Sequence, residues 1–173
     1  MNTAECGPAL AVLAETPTVL EKILRAATPE QMQLKPAPQR WSVSEVLAHL
    51  TDIERVFRGR VQLIAEQELP AIASYDQEEA YRRGDYSSGR AEEHLRRFHQ
   101  EREATLRLLR ALPDAALARR GQHSEIGEFT LSELLHEWAF HDLGHIRQIA
   151  ELYRAQAFYP HMGGFRRYYT VKP

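Results

Sequence analysis

The chain has 173 residues, a formal net charge of −2 and a hydrophobic content of 43%, values that are ordinary for one folded domain spanning residues 1–173. Its arginines are dispersed among acidic residues, which argues against a nucleic-acid partner. It contains neither an apolar run long enough to span a membrane nor a basic leader, so we expect a cytoplasmic protein without a membrane partner. A single cysteine, Cys6, excludes an intramolecular disulfide.

Two helices are indicated in the first part of the chain. One is predicted over about residues 9–27 and is followed by a proline-rich loop over residues 28–40. The next is predicted over about residues 43–68, behind a capping box with Ser42 as N-cap and Glu45 as its partner. Its apolar face contains Val46, Leu50, Ile53, Phe57 and Ile64. His49 falls within about 70° of the centre of that face.

Two more helices are indicated downstream. The third is predicted over about residues 90–112, and the fourth over about residues 131–153 behind a second capping box, Thr130 and Glu133. Residues 69–89 contain proline, glycine and several tyrosines without periodicity, so we expect an ordered excursion over one end of the bundle. The aromatic tail, residues 155–173, is expected to pack on the domain or on a second subunit.

The predicted elements define the fold class. No segment shows the alternation that is typical of a strand, and residues 114–129 are expected to form a loop. Four long helices in one domain of this size predict an all-α four-helix bundle. The connections after the first three helices are long enough for crossovers, so a simple up-down order is not required.

A histidine pair in the fourth helix is the strongest functional signal. His141 and His145 lie in the middle of its apolar stripe, which spans an arc of roughly 80°. Side chains at i and i+4 stand about 5–6 Å apart at Cβ, so both imidazoles can reach one metal ion. His49 is the best third ligand, because packing its helix against the fourth brings three histidines to one depth of the bundle. The stripe consists of Leu134, Trp138, His141, His145, Ile149 and Leu152.

The alternative is that these are core histidines satisfied by hydrogen bonds. A lone histidine on an apolar face favours that explanation. Two in register change the balance, because each buried imidazole needs partners for both ring nitrogens. We therefore prefer a metal site formed by His49, His141 and His145.

Five polar residues near these histidines carry weaker signals. Glu137 and Gln148 lie about one helical turn from the histidine pair. Each could be a fourth metal ligand, a partner that orients a histidine, or a solvated residue at the edge of the stripe, and we prefer the last two roles. Asp142 and Arg147 point away from the stripe and are expected to be surface charges. Arg60 could meet an anionic thiol, although a salt bridge at the bundle end is the preferred role.

Two separated motifs resemble the DinB-like superfamily. They are the run WSVSEVLAHLTDIE at residues 41–54, and TLSELL at residues 130–135 followed by HDLGHIRQI at residues 141–149. The resemblance implies a bundle with a crossed-over, up-down-down-up helix order, a divalent metal on His49, His141 and His145, and homodimers. Among metals, Zn or Ni is expected, with Fe, Co and Mn as alternatives.

The resemblance also suggests an activity. Its members include thiol-dependent S-transferases that use bacillithiol, mycothiol or glutathione, so our first hypothesis is transfer of such a thiol to an electrophilic small molecule. A metal-dependent hydrolase that uses metal-bound hydroxide is the alternative, since a three-histidine site leaves a position for water. A third possibility is a bundle that the metal only stabilises. Metal-bound water or thiolate is the proposed nucleophile, because no protein nucleophile is recognisable.

Overall fold

Six α-helices account for most of the residues that the structure describes, and loops with a small sheet connect them. The computed structural model describes residues 3–84 and 86–171, with side chains from residue 6 onward. Helices α1, α3, α5 and α6 are long and form the bundle, whereas α2 and α4 are short. In chain order they are α1 (Thr3–Leu24), α2 (Pro29–Gln33), α3 (Val43–Glu66), α4 (Gln77–Arg83), α5 (Ala91–Ala111) and α6 (Leu131–Ala157).

Both predicted capping boxes are present and fix where α3 and α6 begin. The Ser42 hydroxyl accepts the Glu45 amide at 3.2 Å, and the Glu45 carboxylate accepts the Ser42 amide at 2.8 Å. In the second box the Thr130 hydroxyl accepts the Glu133 amide at 3.1 Å, and the Glu133 carboxylate accepts the Thr130 amide at 2.6 Å. Each box satisfies two amides that a helix N-terminus leaves without intrahelical partners. The helices that carry His49, His141 and His145 therefore begin at the predicted residues.

The helices of the bundle follow a crossed order. α1 packs most extensively on α6, and α3 on α5, with lesser contacts between α1 and α5 and between α3 and α6. α1 and α3 therefore lie diagonally opposite each other in the bundle, and so do α5 and α6. The consecutive helices α3 and α5, in contrast, are neighbours. The prediction of an all-α four-helix bundle with crossover connections is confirmed.

The apolar faces of the four long helices form two buried clusters. One surrounds Phe57 and Trp138, whose rings stack with centroids 4.7 Å apart, and it includes Leu135. The other contains Leu47, Phe98 and Ile149. Burial of this apolar surface is the main favourable term in folding.

Within the described residues, no helix is both long and apolar enough to cross a bilayer.

A small sheet corrects the expectation that the chain has no strands. Its strands are β1 (Ala71–Ile72), β2 (Arg120–His123) and β3 (Gly127–Thr130), in the order β1-β2-β3. β1 is parallel to β2, and β2 forms an antiparallel hairpin with β3. Gly127 has a φ of 81° at the hairpin, a conformation that glycine adopts without strain. The longest strands have four residues, too short to show a clear alternation in sequence.

The two ends of the chain also differ from the sequence prediction. α1 begins at Thr3 rather than near residue 9 and contains Pro17 within the helix, and α6 continues to Ala157. Beyond α6, 3-10 turns at Tyr159–His161 and Gly163–Tyr168 form most of the tail. The start of the tail packs on α6, where Phe158 meets Tyr153 at 5.4 Å between ring centroids, and Thr170 lies beside a groove along α6. Large aromatic side chains remain exposed at Phe158, Phe165, Tyr168 and Tyr169.

Candidate metal centre

His49, His141 and His145 converge at one point between α3 and α6. The His141 Nε2 atom lies 3.3 Å from His49 Nε2 and 3.1 Å from His145 Nε2. One ligand atom from each residue lies within 4.8 Å of those of the other two. Two nitrogens bound to one tetrahedral Zn²⁺ at about 2.0–2.1 Å stand roughly 3.3 Å apart. The observed spacing therefore fits a single small cation.

Protons alone do not satisfy this arrangement. The His145 Nδ1–H donates to Gln148 Oε1 at 2.8 Å, so a neutral His145 presents a lone pair at Nε2. A proton on His141 Nε2 can be donated to only one of its two close neighbours. At least one of the close nitrogen contacts is then left without a hydrogen bond. A cation at the centre would accept a lone pair from each of the three rings.

Burial keeps the three imidazoles neutral, which is the form that binds metals. Burial, together with the neighbouring His145 and His141, lowers the pKa of His49 to about 2. Burial, with His145 and the Arg102 charge, lowers the pKa of His141 to about 3. Burial also lowers the pKa of His145, against the opposing effects of Gln148 and Asp142. All three rings therefore offer nitrogen lone pairs at neutral pH.

Aromatic rings surround the histidines. The Trp41 ring centroid lies 5.1 Å from that of His49, and the Tyr75 centroid lies 6.1 Å away. On the other side, Phe57 meets His141 edge-on at 5.8 Å. These rings restrict the imidazoles to a small range of orientations and lower the local polarity.

Three tyrosines of the segment between α3 and α5 pack on α3 near His49. The Tyr86 hydroxyl donates to Asp52 Oδ2 at 2.9 Å, and the Tyr75 hydroxyl lies 3.2 Å from that of Tyr86. Tyr81 donates to Glu45 Oε1 at 2.5 Å. Because Glu45 and Asp52 belong to α3, these phenols attach the excursion to the helix that carries His49. Sequence reasoning did not assign either acid this role.

A buried ion network lies on the other side of the histidines, and it corrects the prediction for Asp142. We expected Asp142 to be a surface charge, yet it is 0% exposed, as is Glu54, and Arg102 is 1% exposed. The Arg102 guanidinium donates to both Glu54 oxygens at 2.8 and 2.7 Å and to both Asp142 oxygens at 2.7 and 3.2 Å. Periodicity places Asp142 away from the histidine stripe, but that face of α6 is also enclosed by the bundle.

An open groove of about 820 Å³ runs along α6 and reaches His141 and His145. Its volume is in the range of small-molecule sites. Trp41 and Phe140 contribute aromatic surface to it, and Arg40 and Arg147 contribute positive charge. A second groove of similar volume lies between α1 and α5 and includes none of the three converging histidines. The groove along α6 therefore connects His141 and His145 with solvent.

The remaining predicted residues are placed as follows. Gln148 orients His145 through its hydrogen bond, one of the two roles we preferred. Glu137 lines the groove one turn before His141 but is not part of the three-residue cluster. Arg147 is exposed, as predicted. Arg60 donates to the Ala73 carbonyl at 3.0 Å instead of forming the predicted salt bridge.

Taken together, the fold and the cluster define a crossed four-helix bundle with a three-histidine site of the kind that binds divalent metals. A family model for the DinB superfamily matches residues 13–149. The chain belongs to the DinB superfamily, which confirms the resemblance seen in its motifs.

Known proteins similar to this chain are found both by sequence and by structure. The chain is similar to the Bacillus subtilis (strain 168) protein named "Putative metal-dependent hydrolase YfiT", with 28% identity over 144 residues, covering 83% of this chain and 81% of the relative. It also resembles a solved structure of YfiT from Bacillus subtilis, described as "a probable metal-dependent hydrolase with an unusual four-helix bundle topology". That match has a TM-score of 0.80 and 26% identity, and covers 90% of this chain and 89% of the other.

Proposed function

We propose that this chain is a metal-dependent hydrolase of small molecules, and that His49, His141 and His145 bind its divalent ion. The observation that carries the proposal is the convergence of three neutral imidazoles beside a groove open to solvent. The descriptions of both YfiT matches refer to metal-dependent hydrolysis, which supports this reaction class.

The ligand set suits Zn²⁺ or Ni²⁺, with Fe, Co and Mn as alternatives. An ion on three protein nitrogens keeps at least one position for water or substrate and lowers the pKa of a water ligand toward about 7.

Other residues of the chain prepare the histidines for metal binding. Gln148 holds the His145 proton on Nδ1, which leaves Nε2 free to bind. Trp41 and Phe57 shield His49 and His141 from bulk water.

The groove suggests the kind of substrate. Arg40 and Arg147 line it, and neither has a side-chain ion pair or hydrogen bond within the described parts of the chain. Trp41 and Phe140 offer aromatic surface in the same groove. A small molecule with an apolar body and an anionic group would use both features.

Hydrolysis can be tested directly on the purified protein. The chain is loaded with Zn²⁺ or Ni²⁺ and screened with chromogenic carboxylic ester, amide and phosphate ester probes without added thiol. We expect turnover that is lost in a folded His145→Ala variant. His136→Ala is the matched control, because His136 is exposed on the same helix and, among the residues that the structure describes, bonds only to the Ser132 carbonyl oxygen. Turnover that persists in His145→Ala would contradict the proposal.

Thiol transfer, the activity that the family resemblance first suggested, is the second candidate. The observation in its favour is the presence of Arg40 and Arg147 in the groove, since glutathione and bacillithiol carry carboxylates that guanidinium groups bind. Consumption of glutathione, bacillithiol or mycothiol with an electrophile, and no turnover without the thiol, would select this candidate. If neither reaction occurs but chelation lowers the melting temperature, the metal only stabilises the bundle.

We also propose that the protein is a homodimer and is cytoplasmic. Support for the dimer comes from α6, where Phe140 is 81% exposed and Leu143 is 52% exposed on the outer surface. Light scattering should give twice the chain mass, and Phe140→Ser should lower it; a monomer in the unmodified protein would contradict the proposal. Cell fractionation tests the location.

A further inference from the structure

One side chain contacts all four long helices of the bundle. Arg102 belongs to α5 and is 1% exposed. Its guanidinium donates to the Leu13 carbonyl of α1 at 2.6 Å, to both carboxylate oxygens of Glu54 on α3, and to both oxygens of Asp142 on α6. Burial opposes the charge, but the Asp142 and Glu54 carboxylates raise the pKa of Arg102, so it remains a cation.

The two carboxylates lie on the helices that supply the histidines. Glu54 lies about one and a half turns after His49 on α3. Asp142 is the residue directly after His141 on α6. A guanidinium is planar, and its fork fixes the direction of each bidentate bond. One rigid group therefore sets the spacing and register of α3 relative to α6 immediately beside the histidine cluster.

Aromatic packing connects this network to the histidines. The Arg102 guanidinium carbon lies 5.5 Å from the Trp138 ring centroid. Trp138 stacks on Phe57 at 4.7 Å, and Phe57 meets His141 at 5.8 Å. Close-packed rings transmit a displacement to their neighbours because the interior has little free volume. A shift at the guanidinium would thus change the positions of the metal-binding nitrogens.

Energetics favour a role in positioning over a role in stability. Three buried ionic groups carry a large desolvation cost, and well-packed apolar residues often stabilise a core equally well. What an apolar cluster lacks is a fixed direction for each contact. We infer that Arg102 is a positioning residue that holds the three histidines at the spacing one metal ion requires. The inference rests on the proposed metal site.

The test measures metal affinity in folded variants, with Co²⁺ as the probe. Arg102→Lys keeps the charge but lacks the planar fork. A second variant, Glu54→Gln with Arg102→Met and Asp142→Asn, removes all three charges at nearly constant volume, in case the first does not fold. Circular dichroism establishes that each variant is folded at the titration temperature. Arg58→Met is the matched control, since Arg58 joins α3 to Glu101 of α5 at 2.6 Å without reaching α6.

We expect the network variants to bind Co²⁺ about 10–100-fold more weakly and with a changed visible absorption spectrum, whereas Arg58→Met retains both. A purely structural role would lower the melting temperature and leave the affinity and spectrum of the folded protein unchanged, and that result would overturn the inference alone. If the unmodified protein binds no Co²⁺, the proposed metal site is wrong and the inference fails with it.

Discussion

The buried histidines make the stability of the metal-free protein depend on pH near neutrality. In the folded chain the pKa of His49 is about 2 and that of His141 about 3, whereas both have an ordinary value of 6.5 when unfolded. Below pH 6.5 the unfolded state therefore binds protons that the folded state does not. The stability that these two neutral histidines contribute is therefore fully present above this pH. It is lost as the pH falls, because protons that bind only to the unfolded state favour unfolding.

The expected magnitude follows from the two pKa values. At pH 5.5, one unit below the unfolded pKa, each of the two histidines lowers the free energy of unfolding by about 1.4 kcal/mol. His49 and His141 together therefore contribute about 3 kcal/mol, and His145 adds to it in the same direction. This is a large part of a typical unfolding free energy of about 5–15 kcal/mol. Carboxylates with a lowered pKa, such as Glu45, lose their contribution only at more acidic pH.

Urea unfolding measures this effect. The EDTA-treated protein is unfolded at pH 7.5 and at pH 5.5 and followed by circular dichroism, and the free energies are compared by linear extrapolation. The double variant His49→Gln, His141→Gln should lose most of the difference, whereas His136→Ala, on the exposed face of α6, should retain it. A free energy that is equal at the two pH values, or a double variant with the full dependence, would refute the account of neutral buried imidazoles.

Three further predictions concern single residues. Gln148→Leu should weaken metal binding about 10–100-fold in a competition titration, because His145 loses the partner that orients its ring; unchanged affinity would contradict this. Thr130→Ala should lower the unfolding free energy by about 1 kcal/mol through loss of the α6 N-cap, and urea unfolding with no change would exclude it. Gly89→Ala should lower the melting temperature, since an added Cβ would lie 2.0 Å from His94 Nε2; an equal or higher value would show that His94 moves freely.

Features that depend on local pattern could be predicted from the sequence. The capping boxes involve residues three positions apart, so Ser42 and Thr130 marked the starts of α3 and α6 correctly. The convergence of His141 and His145 follows from the 3.6-residue helical repeat, and that of His49 from its place on a facing apolar stripe. Their binding of a metal ion stays a prediction.

The buried ion network and the sheet, whose partners are also distant in the chain, were not predicted. Asp142 is separated by 40 positions from Arg102, and Glu54 by 48, so nothing near either acid in the sequence marks it as buried. A charged residue outside the apolar stripe of a helix is normally exposed to solvent. Here the packing of α5, which carries Arg102, leaves Glu54 and Asp142 buried. The sheet was missed for a related reason, because β1 pairs with β2 some fifty residues later, with Ala71 opposite Gln122.

Metal content tests the central claim most directly. The purified, untagged protein is reconstituted with Zn²⁺ or Ni²⁺, passed over a desalting column and measured by elemental analysis beside the triple variant His49→Ala, His141→Ala, His145→Ala. The proposed three-histidine site predicts about one metal ion per chain in the unmodified protein and none in a triple variant that circular dichroism shows to be folded. An unmodified protein without metal, or a folded triple variant with the same content, would contradict it.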